Sequence, residues 1–373
     1  MKDIKGKLGF GCMRFPMRDG KIDYEELSRM FDTFIERGFN YFDTAHGYMR
    51  GESEKALREC LVKRYPRDSF MLANKLSTFN FEKREEIRPL FNSQLEACGV
   101  DYFDVYLMHS QNKQIYKKYT EIGAYEESLE LMREGKFRHF GISFHDDSTF
   151  LEQILKEYPQ IEIVQLQINY ADFDDVAIQG RKCLEVARKY GKKVVVMEPV
   201  KGGTLVNLPD EAKAVFGEFN GSYASYAIRF AASLEDVVCV LSGMSNTEQV
   251  LDNTSYMQNF IPLSAAENEA IKKVQKIFAS QNLIPCTACR YCTDGCPRNI
   301  PIPDIFSCMN VKHSERGSWN ADFYYNSVLT SPGRRASDCI GCGKCELACP
   351  QKLKIRELLR EVANEFEKKT DKA

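Results

Sequence analysis

An excess of charge of either sign is missing from this sequence. Its 373 residues hold 51 Lys and Arg against 53 Asp and Glu, a net charge of −2. No strong field draws such a chain to nucleic acid or to an anionic membrane surface, and neither partner is expected. Long hydrophobic runs are missing too. The strand-like apolar runs extend over about five residues, far short of the roughly 20 that cross a bilayer. The opening Met1-Lys-Asp-Ile-Lys-Gly-Lys7 has no apolar stretch of a secretory signal. The expectation is a cytoplasmic chain, in which the 14 cysteines stay reduced instead of pairing as disulfides. No G-x-G-x-x-G follows the first strand-like run, which disfavours an open doubly wound sheet. Nor does any sequence repeat of about 20 to 50 residues mark a solenoid.

What is present suits a globular chain of more than one part. Hydrophobic residues make up 43% and charged residues 28%, enough apolar material for a full core. An α/β barrel takes about 250 residues, which leaves room for one smaller module in a chain of this length.

The first part alternates strand and helix patterns. Short apolar or β-branched runs fall at residues 7–11, 39–43, 70–75, 103–109, 139–143, 163–167, 193–197 and 237–242. Helical spacing fills the gaps at 54–64, 82–98, 125–133, 148–158, 175–190, 222–232 and 247–256, with an added helix at 263–278. The first helix opens at Asp23 with Glu26 at capping-box spacing. It lines Leu27, Met30, Phe31, Phe34 and Ile35 along one face and stops at Gly38. Continuous alternation implies parallel strands with right-handed crossovers, and eight such units predict a closed (β/α)8 TIM barrel.

In a barrel of this kind the chemistry gathers at the C-terminal ends of the strands. Asp43 ends the second strand, Tyr48 lies in the loop after it, Lys75 ends the third and His109 the fourth. These groups must converge on one patch. A tyrosine is a poor acid, with an ordinary pKa near 10, but an ammonium beside it favours the phenolate. Asp43 would keep Lys75 charged and oriented, and His109 can donate a hydrogen bond to a carbonyl oxygen. The inferred step is protonation of a carbonyl that receives a hydride.

The segment Phe42-Asp-Thr-Ala-His-Gly-Tyr48, with Glu52 and Glu54 beyond it, resembles the aldo-keto reductase signature, and the resemblance spans roughly residues 5 to 280. It implies that Tyr48 is the general acid, that Lys75 and Asp43 tune it, and that His109 orients the substrate, with His46 lining the pocket. It also implies an extended nicotinamide dinucleotide, NAD(P)(H), bound without a Rossmann fold. Ser143 and Gln165 match positions that hold the ring carboxamide. Phe144 stands where relatives commonly carry Asn, and Met197 where an aromatic stacks on the ring. The turn from Ser242 and Gly243 to Gln249 resembles the phosphate-binding turn, and Lys201 lies within reach of the phosphates. NADP-preferring relatives carry Lys or Arg in that turn. Its absence here tilts the expectation between NAD and NADP toward NAD(H).

The cysteines divide. Cys12, Cys60, Cys98, Cys183, Cys239 and Cys308 are scattered and read as small core residues. The other eight form two runs, Cys286-x2-Cys289-x2-Cys292-x3-Cys296-Pro297 and Cys339-x2-Cys342-x2-Cys345-x3-Cys349-Pro350. Three thiolates of a run cap one cubane, and the fourth, followed by proline, crosses to the other. This assigns Cys286, Cys289, Cys292 and Cys349 to one [4Fe–4S] cluster, and Cys339, Cys342, Cys345 and Cys296 to a second. Zinc would leave the third and fourth cysteines of each run unexplained. The change in composition sets a boundary between a barrel domain, 1–280, and a ferredoxin-like domain, 281–373. That second domain resembles helical dicluster ferredoxin modules. It has a helix near 304–312, a terminal helix with Ile355, Leu358, Leu359, Val362 and Phe366 on one face, and a solvated charged end at 367–372.

The reading is an aldo-keto reductase-like oxidoreductase for a small carbonyl or alcohol. Its clusters either pass single electrons to a redox partner protein or staple the module. No convincing flavin motif is present to join hydride and single-electron chemistry. The other reading is a ferredoxin-like electron-transfer protein with the barrel as a docking scaffold, against which the four converging polar groups argue.

Overall fold

Eight parallel strands close on themselves in the computed structural model, which describes residues 3–175, 178–280, 283–313, 321–322, 325–331 and 333–367. They are β1 (Leu8–Gly11), β4 (Tyr41–Asp43), β5 (Met71–Leu76), β6 (Phe103–Gln111), β7 (Phe137–Phe144), β8 (Ile163–Gln167), β9 (Lys193–Met197) and β10 (Val237–Ser242), with β1 joined to both β4 and β10. A small antiparallel ribbon, β2 (Met17–Arg18) and β3 (Lys21–Ile22), follows β1. The fold is the expected TIM barrel. Each predicted strand lies within two residues of its observed bounds, and β8, β9 and β10 coincide with the reading.

The helices differ more. The expected helix at 54–64 is a short helix, Glu52–Leu57, continued by a wider turn at Arg58–Val62. Those at 82–98 and 175–190 begin about a turn later, as Ile87–Cys98 and Gly180–Lys189. The helix Lys113–Glu121 was not expected. It is capped by the Asn112 side chain, which accepts the Gln114 and Ile115 N–H groups at 3.0 Å, and its buried face consists of Tyr116 and Tyr119 set among lysines. The first helix, Tyr24–Glu36, buries Leu27, Met30, Phe31 and Phe34 as patterned. Asp23 accepts the Glu26 N–H at 3.1 Å, but Glu26 turns away to Thr247, so only half of the capping box forms.

Strand side chains alternate between the two faces. Tyr41, Met71, Ala73, Val105, Leu107, Ile163, Val195, Cys239 and Leu241 fill the barrel. Two positions further along the same inward rows stand Asp43 after Tyr41, Lys75 after Ala73, His109 after Leu107 and Gln165 after Ile163. The periodicity that packs the interior thus carries these polar groups to the C-terminal mouth.

The chain forms two compact units. One comprises residues up to Val200 with Leu208–Val274, the other Lys201–Asn207 with the chain from Gln275 on. The second unit is built on the helices Ile302–His313 and Ile355–Phe366 around Ile305, Phe306, Leu359 and Val362, with Tyr325 stacked on Phe366 at 4.6 Å. Ile355 and Val362 lie in that core as the terminal stripe requires. Residues 281–282 near the expected boundary and the charged end beyond 367 lie outside the described residues. All six scattered cysteines are buried. Among the described residues no helix is long and apolar enough to cross a membrane.

Candidate active site and cysteine cavities

Asp43 and Lys75 meet at the mouth of the barrel. The Lys75 Nζ donates to Asp43 Oδ1 at 2.5 Å and to the Thr44 carbonyl at 2.7 Å, and both side chains are almost wholly buried. Gln165 Nε2 donates to the other carboxylate oxygen at 3.1 Å. Burial pushes the Asp43 carboxyl above its ordinary range, while the Lys75 ammonium and the Gln165 amide pull against it. Tyr48 stands over this pair, with its ring centroid 4.8 Å from Lys75 Nζ. Met49, Arg50 and Gly51 follow with φ of 52°, 59° and 86°. This left-handed run, strained at the two non-glycine residues, reverses the chain directly after Tyr48.

His109 faces Tyr48 edge-on, with ring centroids 6.1 Å apart at 74°. It sits at a bulge: the pairing of β6 with β7 shifts register between Met108 and Gln111, and Ser110 takes φ 55°. A bulge beside a site re-aims a side chain. The Ser77 hydroxyl lies 2.6 Å from His109 Nδ1. Burial first, then the Lys75 ammonium and His145, hold the imidazole well below its ordinary pKa. A neutral ring that accepts the Ser77 hydroxyl at Nδ1 keeps its proton on Nε2.

Ser143 and Gln165 are direct partners across β7 and β8, both buried. The Ser143 Oγ accepts the Ser110 N–H at 2.7 Å, which fixes the bulge. Ser242 is buried with its Oγ accepting from Asn253 at 2.7 Å. A Cβ on Gly11 would lie 3.3 Å from the Ser242 carbonyl and 3.5 Å from the Gly243 nitrogen, so β1 approaches this turn closely. The turn leads into the helix Thr247–Met257, capped by Asn246. Its Thr247 N–H and hydroxyl both donate to Glu26 Oε1, at 2.9 and 2.7 Å, and Arg29 also bonds that carboxylate. Through the Thr247 hydroxyl first, and then Arg29, the Glu26 carboxyl is held down to about 2. Lys201 is buried and opens the segment Lys201–Asn207 of the second unit.

Sequence reasoning missed a chain of buried polar side chains behind Lys75. His46 Nδ1 lies 2.8 Å from Glu54 Oε2, and Asn74 Nδ2 donates to Glu54 Oε1 at 2.8 Å. Asn74 Oδ1 accepts from the Lys75 N–H at 2.8 Å and from Gln94 Nε2 at 3.2 Å. Gln94 Nε2 also donates to the Lys75 carbonyl at 2.9 Å, and Tyr106 donates to Gln94 Oε1 at 2.6 Å. The backbone of Lys75 is clamped on both sides. The available signal is Asn74 itself, an amide inside the buried strand Met71–Leu76, which must find partners.

The eight clustered cysteines line two cavities. One is bounded by Cys286, Cys289, Cys292 and Cys349 with Pro303, Phe306 and Ile355. The other is bounded by Cys296, Cys339, Cys342 and Cys345 with Ile300, Ile302 and Leu359. Each run thus contributes its fourth cysteine to the cavity of the other. Among the described residues no three His, Cys, Asp or Glu side chains converge tightly enough to hold a single metal ion. Four thiols spread around a cavity fit a polynuclear cluster better than zinc.

Comparison with known proteins agrees with both units. The profile of the aldo/keto reductase family matches residues 7–276, and that of a 4Fe-4S dicluster domain matches residues 285–354. An uncharacterized oxidoreductase of Bacillus subtilis is 26% identical over 281 residues, which cover 73% of this chain and 83% of the relative. The NADH-specific methylglyoxal reductase of Escherichia coli is 25% identical over 308 residues, 69% and 90% of the two chains. The holo form of an aldo-keto reductase from Bacillus halodurans superposes with a TM-score of 0.58 at 25% identity, over 72% of this chain and 91% of that one. A Klebsiella pneumoniae aldo/keto reductase in complex with NADP and acetate shares the fold, with a TM-score of 0.60 at 16% identity over the same shares. With nearly three quarters of its length matched and a 4Fe-4S dicluster domain following in sequence, the chain is an oxidoreductase that belongs to the aldo/keto reductase family.

Proposed function

We propose that the barrel reduces a small carbonyl compound, and oxidises the matching alcohol, with Tyr48 as the proton donor. The observation that carries this reading is the meeting of Tyr48 with both the Lys75–Asp43 pair and His109 at one end of the barrel. The bound nicotinamide supplies the hydride. His109 donates from Nε2 to the carbonyl oxygen and polarises it, held in that tautomer by Ser77. Tyr48 then delivers its phenolic proton to the oxygen, and the Lys75 ammonium beside the ring stabilises the phenolate left behind. Asp43 keeps that ammonium in place. Ser143 and Gln165, paired across two strands, are suited to an amide group. The experiment is nicotinamide oxidation over a panel of carbonyl compounds, with methylglyoxal first because a relative is named for it. Tyr48→Phe should lower kcat by about 10²- to 10⁴-fold while nucleotide binding is retained; equal rates would contradict the assignment.

NAD(H) is the favoured dinucleotide. The Glu26 carboxylate, itself paired with Arg29, takes the Thr247 N–H and hydroxyl at the start of the helix after the Ser242–Gly243 turn, so those donors are already occupied when an extra phosphate arrives. Lys201 remains a candidate for the shared phosphates. Glu26→Gln should raise kcat/KM for NADPH relative to NADH by about tenfold, the effect of roughly 1.4 kcal/mol. An unchanged ratio would remove Glu26 from the choice.

The second domain, placed at 281–373 after a barrel domain of 1–280, holds two [4Fe–4S] clusters in this reading. Cys286, Cys289, Cys292 and Cys349 ligate one, and Cys339, Cys342, Cys345 and Cys296 the other. The clusters supply one-electron chemistry, and with it a redox partner protein. Thiolates kept reduced for this purpose fit a cytoplasmic setting.

A further inference from the structure

Resting on the two-cluster reading, we propose that the surface around the second cysteine run docks a small acidic one-electron carrier protein. Cys342 is exposed. Two aliphatic side chains flank it in sequence, Ile340 at 56% and Leu347 at 57% exposure, and Ile340 bounds the cavity itself. Four cations surround this patch. Arg298 lines the same cavity, and Arg334 lies next to it, donating Nε to the Asn299 carbonyl at 3.0 Å. Lys344 opens the short helix that carries Cys345, and Arg360 borders an open depression together with Cys339 and Gly341. Among the described residues none of the four pairs with a carboxylate. Two acids of this run are engaged elsewhere: Glu346 with Arg356 at 2.7 Å, and Asp338 with the Arg335 N–H at 2.8 Å.

The first cavity offers no such face. Its Arg290 is forked onto Asp304 at 2.6 and 2.9 Å, and its apolar lining of Ile302, Phe306, Leu353 and Ile355 is not strongly exposed. The second site therefore combines an exposed aliphatic side chain at the thiol cavity, Ile340, with a rim of positive charge that no carboxylate among the described residues neutralises. An apolar centre lets two redox groups approach without burying charge, and the rim steers a partner of opposite sign and speeds its encounter. Redox encounters of this kind are small and transient. Two exposed aliphatic residues are too few to insert into a bilayer, and Ile340, which lines the thiol cavity, stands where an electron crosses. In the step itself the reduced carrier would be oxidised by one electron, and a [4Fe–4S] cluster held by Cys296, Cys339, Cys342 and Cys345 would accept that electron. No bond forms or breaks.

The test uses the full-length, cluster-loaded protein under anaerobic conditions, mixed with a reduced acidic flavodoxin as the probe, with cluster bleaching followed in the visible. Lys344→Glu/Arg360→Glu should slow the second-order reduction at least tenfold at low salt and flatten its salt dependence, with reduction by dithionite unchanged. Lys344→Gln/Arg360→Gln should fall between. Lys63→Glu/Lys156→Glu, an equal charge change on exposed barrel lysines, should stay within twofold of the parent. An unaffected rate in the first variant, or an equal loss in the barrel variant, overturns the proposal. So does binding to anionic phosphatidylglycerol vesicles that depends on Lys344 and Arg360 without any change in the carrier reaction. A parent protein without iron would instead overturn the two-cluster reading, and failure of carbonyl reduction would leave this surface untouched.

Discussion

Lys75 is where two polar systems of the barrel meet. Its ammonium serves the Asp43–Tyr48 side, while its backbone is held by Asn74 and Gln94. The outer end of that buried chain is the His46–Glu54 pair, and the bond to Glu54 raises the His46 pKa above its ordinary 6.5. A histidine raised in the folded state contributes stability that is complete below pH 6.5 and is lost as the pH climbs through its folded value. Urea midpoints of the parent and His46→Gln should accordingly differ most at acid pH and converge on the alkaline side. A difference that widened with pH would invert the assigned charge state. Asp43, Tyr48, Lys75 and His109 were legible in the sequence because each stands at or just after the end of a short apolar run. Ser77 and the Glu54–Asn74–Gln94–Tyr106 chain were not, because their partnerships cross between strand and helix over 12 to 32 positions of sequence.

At the scale of elements, strands were read more faithfully than helices. A strand buried on both faces is a continuous apolar run whose ends are marked by its flanks, and three of eight were bounded without error. The helix Lys113–Glu121 hides its apolar face in two tyrosines, and the bulge at Ser110 that aims His109 has no signature in residue type. The segment Lys201–Asn207 follows the loop after β9 yet packs with the cysteine module. Gly202 makes this possible. Its φ is 62°, and a Cβ there would come to 2.2 Å from the Thr287 carbonyl, between Cys286 and Cys289. Gly202→Ala should cost about 2–4 kcal/mol in this unit through strain and overpacking. Its readout is iron: the parent should hold about eight per chain, as two cubanes require, and the variant clearly fewer. Full occupancy in the variant would show that the segment is not needed to shape the cluster loop.

For the whole molecule the question is where the two electrons of a nicotinamide go. A hydride moves both together, whereas each cluster takes one. The barrel brings a tyrosine, a histidine and a buried ion pair together in one place, as the proposed direct hydride chemistry requires. The most direct measurement is therefore isotopic. Cluster-loaded protein is given NADH deuterated at the transferring position together with methylglyoxal, and the alcohol product is analysed by mass spectrometry. One deuterium on the new carbinol carbon, formed by the parent and suppressed in Tyr48→Phe, is the predicted result. Oxidation of the NADH with bleaching of the clusters and no label in the product would contradict the account.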